Sequence, residues 1–467
     1  MIPVVSVDEM RGVDADAPEP VEVLVERAAS AVARAALRLM GGAYGRRVVV
    51  VAGPGHNGDD GRVAARRLAA RGARLTVLDA KEAEGAVLPA CDLAIDAAYG
   101  TGFRGEYRAP LTPSPVLAVD LPSGVAGDTG EAVTTAVRAV ATVTFAALKP
   151  GLLLGEGPAR SGTVEVVDIG LDVSRARAAL VEDDDLRAWV PARPRDSHKW
   201  RTAVGVVAGS PGMLGAAELC SRGAMRAGAG MIRLGVPGAD DGSLPANEVV
   251  GRGLPATDWW DAALEWTGRT RALVVGPGLG RQDATVAAVR HLVARAPVPL
   301  VLDADGLYAL GGAPEEVLRS RTAPTVITPH DGEFARLTGD APGPDRLSAA
   351  RRLAERTGAV VLLKGSTTVV AEPGGRVLLS ASGGPRLATA GTGDVLSGVI
   401  AALLAQGVAP PEAAAAGAHL HGRAARLGPD RGLVAGDVAD LLPAAWRTVT
   451  DAGTAGGAGT GAGGTGG

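Results

Sequence analysis

The chain has 467 residues, a length that favours more than one domain, and its 47 basic side chains nearly balance its 51 acidic ones. That balance argues against binding to nucleic acid or to a membrane surface. The sequence has two cysteines, too few for a disulfide framework, and neither a signal peptide nor a membrane-spanning apolar run, so we expect a cytoplasmic protein with no membrane partner.

The first part of the chain alternates apolar strands with helix-like segments. The run VVVVA at 48–52 precedes a Gly-rich loop and the helical pattern RVAARRLAARG. The apolar runs LTVLDA at 75–80, LAIDAAYG at 93–100 and PVLAVDLPSG at 115–124 repeat the theme. Buried strands that alternate with helices predict a parallel, doubly wound α/β sheet.

Polar side chains follow three of these strands. Asn57 lies in the loop GPGHNGDDG at 53–61, whose spacing is not that of a dinucleotide fingerprint, while Asp96 and Ser123 end the next strands. Oxygen ligands of low total charge suit a monovalent hard cation. The segment GTGFRGEY at 100–107 is flexible enough to enclose a phosphate, with Arg104 nearby. The alternative is that all these residues are caps and turns of a Rossmann-like fold.

This set resembles the NAD(P)H-hydrate epimerases, a Rossmann-like family often fused ahead of a dehydratase. The matching motifs, in order across about 1–172, are VVSVDEMRGVD, GPGHNGDDG, IDAAYGTGFRG, AVDLPSG, DTGE and TFAALKPGLLLG. The resemblance implies K⁺ ligation by Asn57, Asp96 and Ser123. The substrate contacts that it implies are His56, Asn57, Gly58, Asp59, Asp60, Gly100, Thr101, Gly102, Phe103, Arg104, Gly105, Glu106 and Asp120.

Two departures from that family lie in one loop. The family reads NNGGDG where this chain reads HNGDDG, so His56 replaces an asparagine and Asp59 replaces a glycine. An added carboxylate near a phosphate-bearing ligand weakens binding by charge repulsion. We expect Asp120 to be the group that moves the proton, although no pattern in the sequence derives this.

A composition change at 174–197, with an acidic run and two prolines, indicates the join between two domains. We predict an epimerase domain over 1–175, a dehydratase domain over 182–450 and a disordered Gly/Ala/Thr tail over 451–467. The second α/β series comprises AVGVVAGS at 203–210, ALVVGPGLG at 272–280, PLVLDADGL at 299–307, PTVITPHDGE at 324–333 and AVVLLKGSTTVVA at 359–371.

The stretch TAGTGDVLSG at 389–398 predicts a phosphoryl-transfer site. Gly391 and Gly393 allow main-chain amides to face an anion, and the following helix adds the positive end of its dipole. An acid beside an anion site is electrostatically unfavourable unless it has a role, and Asp394 suits that of a general base toward an attacking hydroxyl. The alternative is that Asp394 is simply a helix N-cap.

Three further segments add to that site. The segment KGSTT at 364–368 offers a cation, amides and hydroxyls to a nucleotide, or is a polar hairpin turn. His330 in TPHDGEF hydrogen-bonds a substrate, or else satisfies a backbone carbonyl. The loop GPGLG at 276–280 permits close approach of a flat ligand, or is merely a tight turn.

Together with SHKW, VVAGSPGMLGAA and HLHG, these segments resemble the ADP-dependent NAD(P)H-hydrate dehydratases of the ribokinase-like superfamily, over roughly 190–447. The resemblance implies Asp394 as the base, Mg²⁺ on the nucleotide and ADP as co-substrate. It implies hydrated-substrate contacts at Ala217, Gly278, His330 and Asp394. It implies nucleotide contacts at Lys364, Gly365, Ser366, Thr367, Thr368 and Gly393. Asp331 replaces the family's usual proline, which we expect to alter loop stiffness more than chemistry.

The two resemblances together imply two three-layer α/β/α domains, one Rossmann-like and one ribokinase-like, in a bifunctional enzyme acting on NADHX and NADPHX. The alternative is a small-molecule kinase domain, for a vitamin precursor or sugar, preceded by a non-catalytic binding module. His419 and His421 in HLHG also permit a metal interpretation, but residues two apart on a helix face different directions, which favours simple helix packing. We expect a homo-oligomer.

Overall fold

A computed structural model describes residues 1–244 and 248–451. The chain divides into two compact units, Ile2–Ala179 and Met1 together with the residues from Leu180 onward. The division falls inside the segment 174–197, while the predicted domain limits stay predictions. Of the predicted tail, residue 451 ends the last helix, and 452–467 lie outside the described residues.

The N-terminal unit contains six parallel strands that form one sheet, in the order β3-β2-β4-β5-β6-β7. The strands of this sheet are β2 (Arg47–Ala52), β3 (Arg74–Asp79), β4 (Leu93–Ala97), β5 (Val116–Val119), β6 (Ala141–Phe145) and β7 (Thr163–Val167); a further strand, β1 (Ile2–Val4), lies outside it. Its helices are α1 (Val7–Ala15), α2 (Val21–Met40), α3 (His56–Ala69), α4 (Ala80–Ala83) and α5 (Gly157–Ser161). A short strand, β8 (Ala178–Leu180), spans the division between the units.

The run of valines in β2 is buried on both faces of the sheet. Val48 and Val50 pack into one apolar core together with residues of α2 and α3, whereas Val49 and Val51 pack into a second core with Ala80, Ala83 and Tyr107. Successive strand side chains point to opposite faces, so a continuous apolar strand requires cover on both sides. This burial explains why the strand reads VVVVA rather than alternating apolar and polar residues.

The described residues of the C-terminal unit form nine further strands, in the order β17-β16-β15-β14-β13-β12-β9-β10-β11. They are β9 (Ala203–Val207), β10 (Met231–Pro237), β11 (Val249–Leu254), β12 (Ala272–Val275), β13 (Leu300–Leu302), β14 (Thr325–Ile327), β15 (Val360–Leu363), β16 (Thr368–Ala371) and β17 (Val377–Ser380). The helices are α6 (Asp183–Trp189), α7 (Leu214–Arg226), α8 (Trp260–Thr267), α9 (Asp283–Arg295), α10 (Asp305–Leu310), α11 (Pro314–Leu318), α12 (Asp331–Thr338), α13 (Arg346–Thr357), α14 (Thr392–Ala405), α15 (Pro410–Leu427) and α16 (Ala435–Asp451).

The α/β class with large parallel sheets is confirmed, with one correction to strand direction. The segment 359–371, predicted as part of the parallel α/β series with a hairpin turn at 364–368 as the alternative, forms two strands that pair antiparallel, and β17 adds a further antiparallel strand. Only four residues separate β15 from β16, and a connection this short can join antiparallel but not parallel neighbours. All other pairings between β9 and β15 are parallel.

Helices α7 and α14 pack closely because glycines lie between them. A Cβ atom at Gly398 would lie 2.0 Å from the carbonyl oxygen of Cys220, and one at Gly223 would lie 2.4 Å from that of Val395. The start of α14, which carries the motif GTGD, is therefore held firmly against its neighbour. Across the described ranges, the structure contains no helix with the length and hydropathy that crossing a bilayer requires.

Candidate active sites

The first candidate site lies where the strands of the N-terminal sheet end. Helix α3 begins directly after β2 and places Asn57 in its first turn. Both the amide oxygen and the amide nitrogen of Asn57 are buried, and neither has a hydrogen-bond partner in the described part of the chain. An unsatisfied buried amide costs free energy, so this side chain is arranged to meet something outside the protein.

The other two predicted cation ligands lie together at the same edge. Ser123 donates its hydroxyl to Asp96 Oδ1 at 2.7 Å and its main-chain amide to Asp96 Oδ2 at 2.8 Å. Burial raises the pKa of Asp96 to about 6, against the hydrogen bonds from Ser123 and Ala98, which lower it. The pair thus offers oxygen atoms of low total charge. This donor chemistry, together with the unpartnered oxygen of Asn57, fits a monovalent cation.

A buried ion pair lies beside these ligands. Lys149, with 2% of its side chain exposed, places Nζ 2.7 Å from Asp120 Oδ1 and also donates to Thr144 Oγ1 and the Phe145 carbonyl oxygen. All three ammonium hydrogens therefore have an acceptor. Asp120 has a φ of 66°, in the left-handed region, and its Oδ2 accepts from the Thr101 amide. The strained backbone and the cation together fix one carboxylate at the strand end.

Asp120 faces a cavity of about 480 Å³ whose polar wall includes Asp14, Asn57, Asp60 and Lys149. Burial, with the nearby charges of Asp120 and Asp59, raises the pKa of Asp60 to about 8. Burial also raises the pKa of Asp14. The cavity thus contains two carboxyl groups that hold protons more readily than usual beside one that is paired with a cation.

The predicted substrate contacts in the segment 100–106 fall into two groups. Those from Gly100 to Phe103 line the cavity, whereas Arg104, Gly105 and Glu106 are exposed outside its wall. A Cβ at Gly100 would lie 2.8 Å from Asp120 Oδ2 and 3.3 Å from Asn57 Cγ, so the two side chains flank this glycine. The replacement residue Asp59 pairs with Arg62 at 3.3 Å, which offsets part of its added charge.

The second candidate site lies at the start of α14 in the C-terminal unit. Gly391 adopts a left-handed conformation with a φ of 87° and precedes the helix without any side-chain cap. Asp394 is the third residue of the helix, so the N-cap alternative for this residue is wrong. A glycine suits this position because a side chain disfavours a positive φ. The amides of the first turn are therefore left available to an anion.

Asp394 lies within a network of buried charges. Lys364, directly after β15, places Nζ 2.7 Å from Asp303 Oδ1 and 3.8 Å from Glu333 Oε2. The second oxygen of Asp303 accepts the Ser397 hydroxyl at 2.7 Å, which ties β13 to α14. Burial lowers the pKa of Lys364, but the carboxylates, Asp303 first, outweigh it and raise that pKa. The lysine is therefore a fixed cation at the site.

Burial first, and then the charge of Asp303, raise the pKa of Asp394 to about 7 against the opposing effect of Lys364. A carboxyl group with this pKa changes protonation near neutral pH, as a general base must. Gly393 lies against the same lysine, because a Cβ there would be 3.4 Å from Lys364 Nζ. The arrangement brings together main-chain amides, a cation and a proton acceptor.

His330 is the N-cap of α12, where its Nδ1 accepts the amide hydrogens of Gly332 and Glu333. The alternative that this ring satisfies a backbone carbonyl is therefore wrong. The side chain is 60% exposed, so its Nε2 edge is accessible. The replacement residue Asp331 pairs with Arg346 at 2.8 Å, and Arg346 donates to the Lys364 carbonyl oxygen at 2.6 Å. Asp331 thereby connects the histidine loop with the KGSTT segment.

The remaining predicted residues occupy neighbouring loops. Ala217 on α7 is fully buried, and a Cβ at Gly209 would lie 3.0 Å from its methyl group. The carbonyl oxygen of Gly278 accepts the Ser210 hydroxyl at 2.9 Å. Of the residues predicted to contact the nucleotide, those from Lys364 to Thr367 form the turn between β15 and β16 and Thr368 begins β16, so the hairpin alternative and the binding prediction describe the same segment.

Sequence reasoning overlooked two central side chains. Lys149 lies in the quoted motif TFAALKPGLLLG and Asp303 in PLVLDADGL, yet neither was given a role. A lysine directly after an apolar strand was a usable signal for Lys149. The acid Asp303 also ends a strand, and the following Ala304 has a φ of 49°, which nothing in the sequence predicts.

Comparison with known proteins identifies both halves. The family described as NAD(P)H-hydrate dehydratase matches residues 204–445, and the family described as YjeF-related protein N-terminus matches 21–88 and 78–151. The bifunctional NAD(P)H-hydrate repair enzyme Nnr of Salinibacter ruber is 40% identical over 85% of this chain and 86% of its own length. The enzyme of the same name from Escherichia coli is 34% identical over 85% of this chain and 84% of its own length.

Solved structures resemble the C-terminal half. The ADP/ATP-dependent NAD(P)H-hydrate dehydratase of Bacillus subtilis, co-crystallised with ATP and Mg²⁺, is 33% identical with a TM-score of 0.50, and the match covers 57% of this chain and 97% of that one. A ribokinase-like protein from Enterococcus faecalis shares the fold with a TM-score of 0.51. It is 24% identical, and the match covers 58% of this chain and 96% of that one.

Proposed function

Since the chain belongs to the bifunctional NAD(P)H-hydrate repair enzymes, we propose that it converts hydrated NADH and NADPH back to the functional cofactors. The N-terminal unit interconverts the R and S epimers of NADHX and NADPHX. The C-terminal unit dehydrates the S epimer with ADP and releases NAD(P)H, AMP and phosphate. The fusion is useful because one unit supplies the epimer that the other consumes.

The position of Asp394 carries the dehydratase assignment. A hydroxide ion is a poor leaving group, so the C6 hydroxyl of the hydrate has to be phosphorylated before it leaves. Asp394 accepts the hydroxyl proton while the oxygen attacks the terminal phosphorus of ADP, and AMP departs. The ring nitrogen then expels phosphate and C5 loses a proton, which restores the dihydronicotinamide.

The groups around Asp394 support this chemistry. The first-turn amides of α14 and the ammonium of Lys364 stabilise the charge on the moving phosphoryl group. Asp303 and Glu333 hold the lysine in place. Mg²⁺ arrives as part of the nucleotide substrate. We further propose that the hairpin residues Lys364–Thr368, with Gly393, contact the nucleotide, and that Ala217, Gly278 and His330 form the wall toward the hydrate.

In the N-terminal unit, the unpartnered Asn57 amide supports the proposal that Asn57, Asp96 and Ser123 hold K⁺. The ion would supply positive charge toward a phosphate of the substrate. The cavity lined by Asp60 and Asp120 would hold the hydrated ring, and a carboxyl group there moves the proton. His56, Gly58 and Asp59 lie in the first turn of α3 beside Asn57, where we propose that they contact the dinucleotide.

A coupled assay tests the whole proposal. A mixture of R and S epimers of NADHX is incubated with K⁺, Mg²⁺ and either ADP or ATP, and recovered NADH is followed by its absorbance. We expect complete recovery, with AMP and phosphate released when ADP is used. Recovery of only the S fraction would reject the epimerase assignment. A stable phosphorylated product without NADH would identify a kinase instead. Sedimentation of the same preparation tests the prediction of a homo-oligomer.

A further inference from the structure

Two arginine side chains of the C-terminal unit lie beside the same aromatic ring. The guanidinium carbon of Arg281 lies 4.9 Å from the centroid of the Tyr308 ring, and that of Arg336 lies 4.7 Å from the same centroid. Both distances are within the range of a cation–π contact. Two like charges are therefore held close together, and the phosphoryl-transfer chemistry of Asp394 uses neither of them.

Arg281 is oriented by one edge of its guanidinium group. Its Nε donates to Asp305 Oδ1 at 2.8 Å, while Asp305 Oδ2 accepts the main-chain amide of Gly280 at 2.9 Å. The two terminal amino groups of Arg281 have no acceptor in the described part of the chain, and the side chain is 60% exposed. Asp305 thus fixes the direction of the guanidinium group and leaves its outer edge available to a ligand.

Arg336 has no acidic partner at all among residues 1–244 and 248–451. This exposed side chain on α12 forms neither an ion pair nor a hydrogen bond there, and its contact is the ring of Tyr308. A single exposed arginine is ordinary on a protein surface. Here, however, two guanidinium groups share one ring and one carboxylate, so the pair carries an excess of positive charge.

Arg281 lies close to the charge network that surrounds Asp394. Asp305, which orients Arg281, is two residues after Asp303, the carboxylate that binds Lys364 at 2.7 Å. A Cβ at Gly276 would lie 1.8 Å from the carbonyl oxygen of Asp303. The loop GPGLG, which leads directly to Arg281, therefore packs against the residue that holds the lysine of the site.

Arg336 approaches the same network from α12. It is three residues after Glu333, whose carboxylate lies 3.8 Å from Lys364 Nζ. Residues three apart are neighbours on the surface of a helix. The two arginines thus come from different elements, and each is a short distance from a carboxylate that faces Lys364.

The pair lies on the side of the site that we assign to the hydrate. Arg281 is three residues after Gly278, and Arg336 belongs to the helix that His330 caps. Gly278 and His330 are both in the proposed wall toward the hydrate. The proposed nucleotide contacts lie instead in the turn after β15 and at the start of α14. An anion that reaches the arginines therefore belongs to the hydrated dinucleotide.

We propose that Arg281 and Arg336 bind a phosphate group of the hydrated dinucleotide and so hold the hydrate in the dehydratase site. This inference rests on the proposed function. The ligand is a phosphate anion, either the pyrophosphate of both hydrates or the 2′-phosphate that only NADPHX carries. A guanidinium group matches two phosphate oxygens at once, and the contacts with Tyr308 order both groups before the ligand arrives.

The test is the KM of the dehydratase for each hydrate, measured with the pure S epimers at saturating ADP and Mg²⁺. Arg336→Gln removes a charge without breaking an ion pair of the described chain. We expect KM to rise about 10-fold and kcat to stay within about 3-fold, because a contact made equally in the ground and transition states affects KM alone. Arg336→Lys, which keeps the charge, should stay within about 3-fold of the wild-type KM.

The two hydrates distinguish the source of the phosphate. A higher KM for both NADHX and NADPHX identifies the pyrophosphate, whereas a higher KM for NADPHX alone identifies the 2′-phosphate. Arg281→Gln should raise KM for the same hydrate or hydrates as Arg336→Gln, since both arginines bind one group in this proposal.

Arg295→Gln is the matched control. Arg295 is also exposed, and its guanidinium carbon lies 4.7 Å from the centroid of the Trp260 ring. It ends α9, which puts it about 20 Å along that helix from the end that follows Arg281. We expect the KM for both hydrates to be unchanged in Arg295→Gln.

An unchanged KM for both hydrates in Arg336→Gln would overturn the proposal, as would a higher KM for ADP alone. An equal rise in Arg295→Gln would also overturn it, because the effect would then be one of general surface charge. A wild-type enzyme that forms no NADH from S-NADHX would reject the proposed function instead. The Kd for NADPH, followed by its fluorescence, would then decide: the N-terminal unit is the same in all variants, so an equal Kd in Arg336→Gln and the wild type would overturn the role of the pair.

Discussion

Each candidate site lies at the first turn of a helix that follows a glycine-rich loop, yet the two turns carry different polar groups. In each unit a glycine-rich loop leads from a strand to the first turn of a helix, α3 in one and α14 in the other. In the N-terminal unit the first turn carries Asn57, a neutral amide that is buried and unsatisfied. In the C-terminal unit it carries Asp394, a carboxyl group whose pKa is raised to about 7.

The difference shows how one scaffold position serves two kinds of chemistry. A neutral amide with an unused oxygen can accept a cation without a change in its protonation. A carboxyl group surrounded by Asp303 and Glu333, and balanced by Lys364, can exchange a proton near neutral pH. Both helices begin without a side-chain cap, and the side chain carried by the first turn distinguishes the two sites.

The strongest test of this comparison removes the Asp394 carboxylate from the site in the C-terminal unit. We expect Asp394→Asn to lower the dehydratase kcat by about 10²–10⁴, the range typical of a general base, while ADP binding by calorimetry stays within a few-fold. Epimerase activity should not change. Asp345→Asn is the matched control, since Asp345 accepts the Ser348 amide as the cap of α13 outside the charge network. Loss of ADP binding in Asp394→Asn would make Asp394 a structural residue.

The second test breaks the ion pair of the N-terminal unit. Lys149→Met leaves the Asp120 carboxylate buried without its cation, so we expect a loss of about 3–5 kcal/mol in the unfolding free energy of that unit. Epimerase activity should disappear and dehydratase activity should persist. Denaturant unfolding followed by both activities measures this, with the exposed Lys81→Met as the control. Equal loss of both activities would contradict the assignment of Lys149 to one site.

The third test uses pH to distinguish the sites. Asp394 must be ionised to accept a proton, so dehydratase kcat/KM should rise about 10-fold per pH unit below pH 7 and level off above it. In Asp303→Asn a negative charge that raises the pKa of Asp394 is removed, and the rising limb should move to lower pH. A pH–rate profile that is flat between about pH 5.5 and 8 would contradict a catalytic ionisation of Asp394.

The fourth and smallest effect concerns the cation. In Asn57→Ala the unpartnered amide oxygen is lost, and we expect the K⁺ concentration for half-maximal epimerase activity to rise about 10-fold. His56→Ala, at the exposed neighbouring position, should alter the substrate KM and leave the K⁺ dependence unchanged. An unaltered K⁺ dependence in Asn57→Ala would remove this residue from the ligand set.

The sequence allowed prediction of the elements that local pattern determines. The apolar runs that end in Gly-rich loops located β2, β4 and β12, and the α/β class followed from their alternation with helices. The turn within AVVLLKGSTTVVA was predicted only as one alternative, because the same polar residues also suit a nucleotide contact. The pairing direction of β15 and β16 then depended on the length of that turn.

Site residues were predictable where the backbone itself forms the site. Gly391, Gly393 and Asp394 are adjacent in the chain, so a short motif specified them. Asp303 and Lys364 are 61 residues apart and meet only through the order of β13, β14 and β15. Likewise, Lys149 reaches Asp120 only because β5 and β6 are neighbours. Charges that meet through sheet order carry no local signature in the sequence.

The close contact between α7 and α14 has a consequence for engineering. A Cβ at Gly398 or Gly223 would overlap a carbonyl oxygen of the facing helix, so neither glycine can be replaced without separating the two helices. A library intended to broaden substrate choice should therefore keep both glycines fixed and diversify the loops after β9, β12 and β14. Variation there would reshape the proposed ligand wall, while α14, which carries Asp394, keeps its alignment.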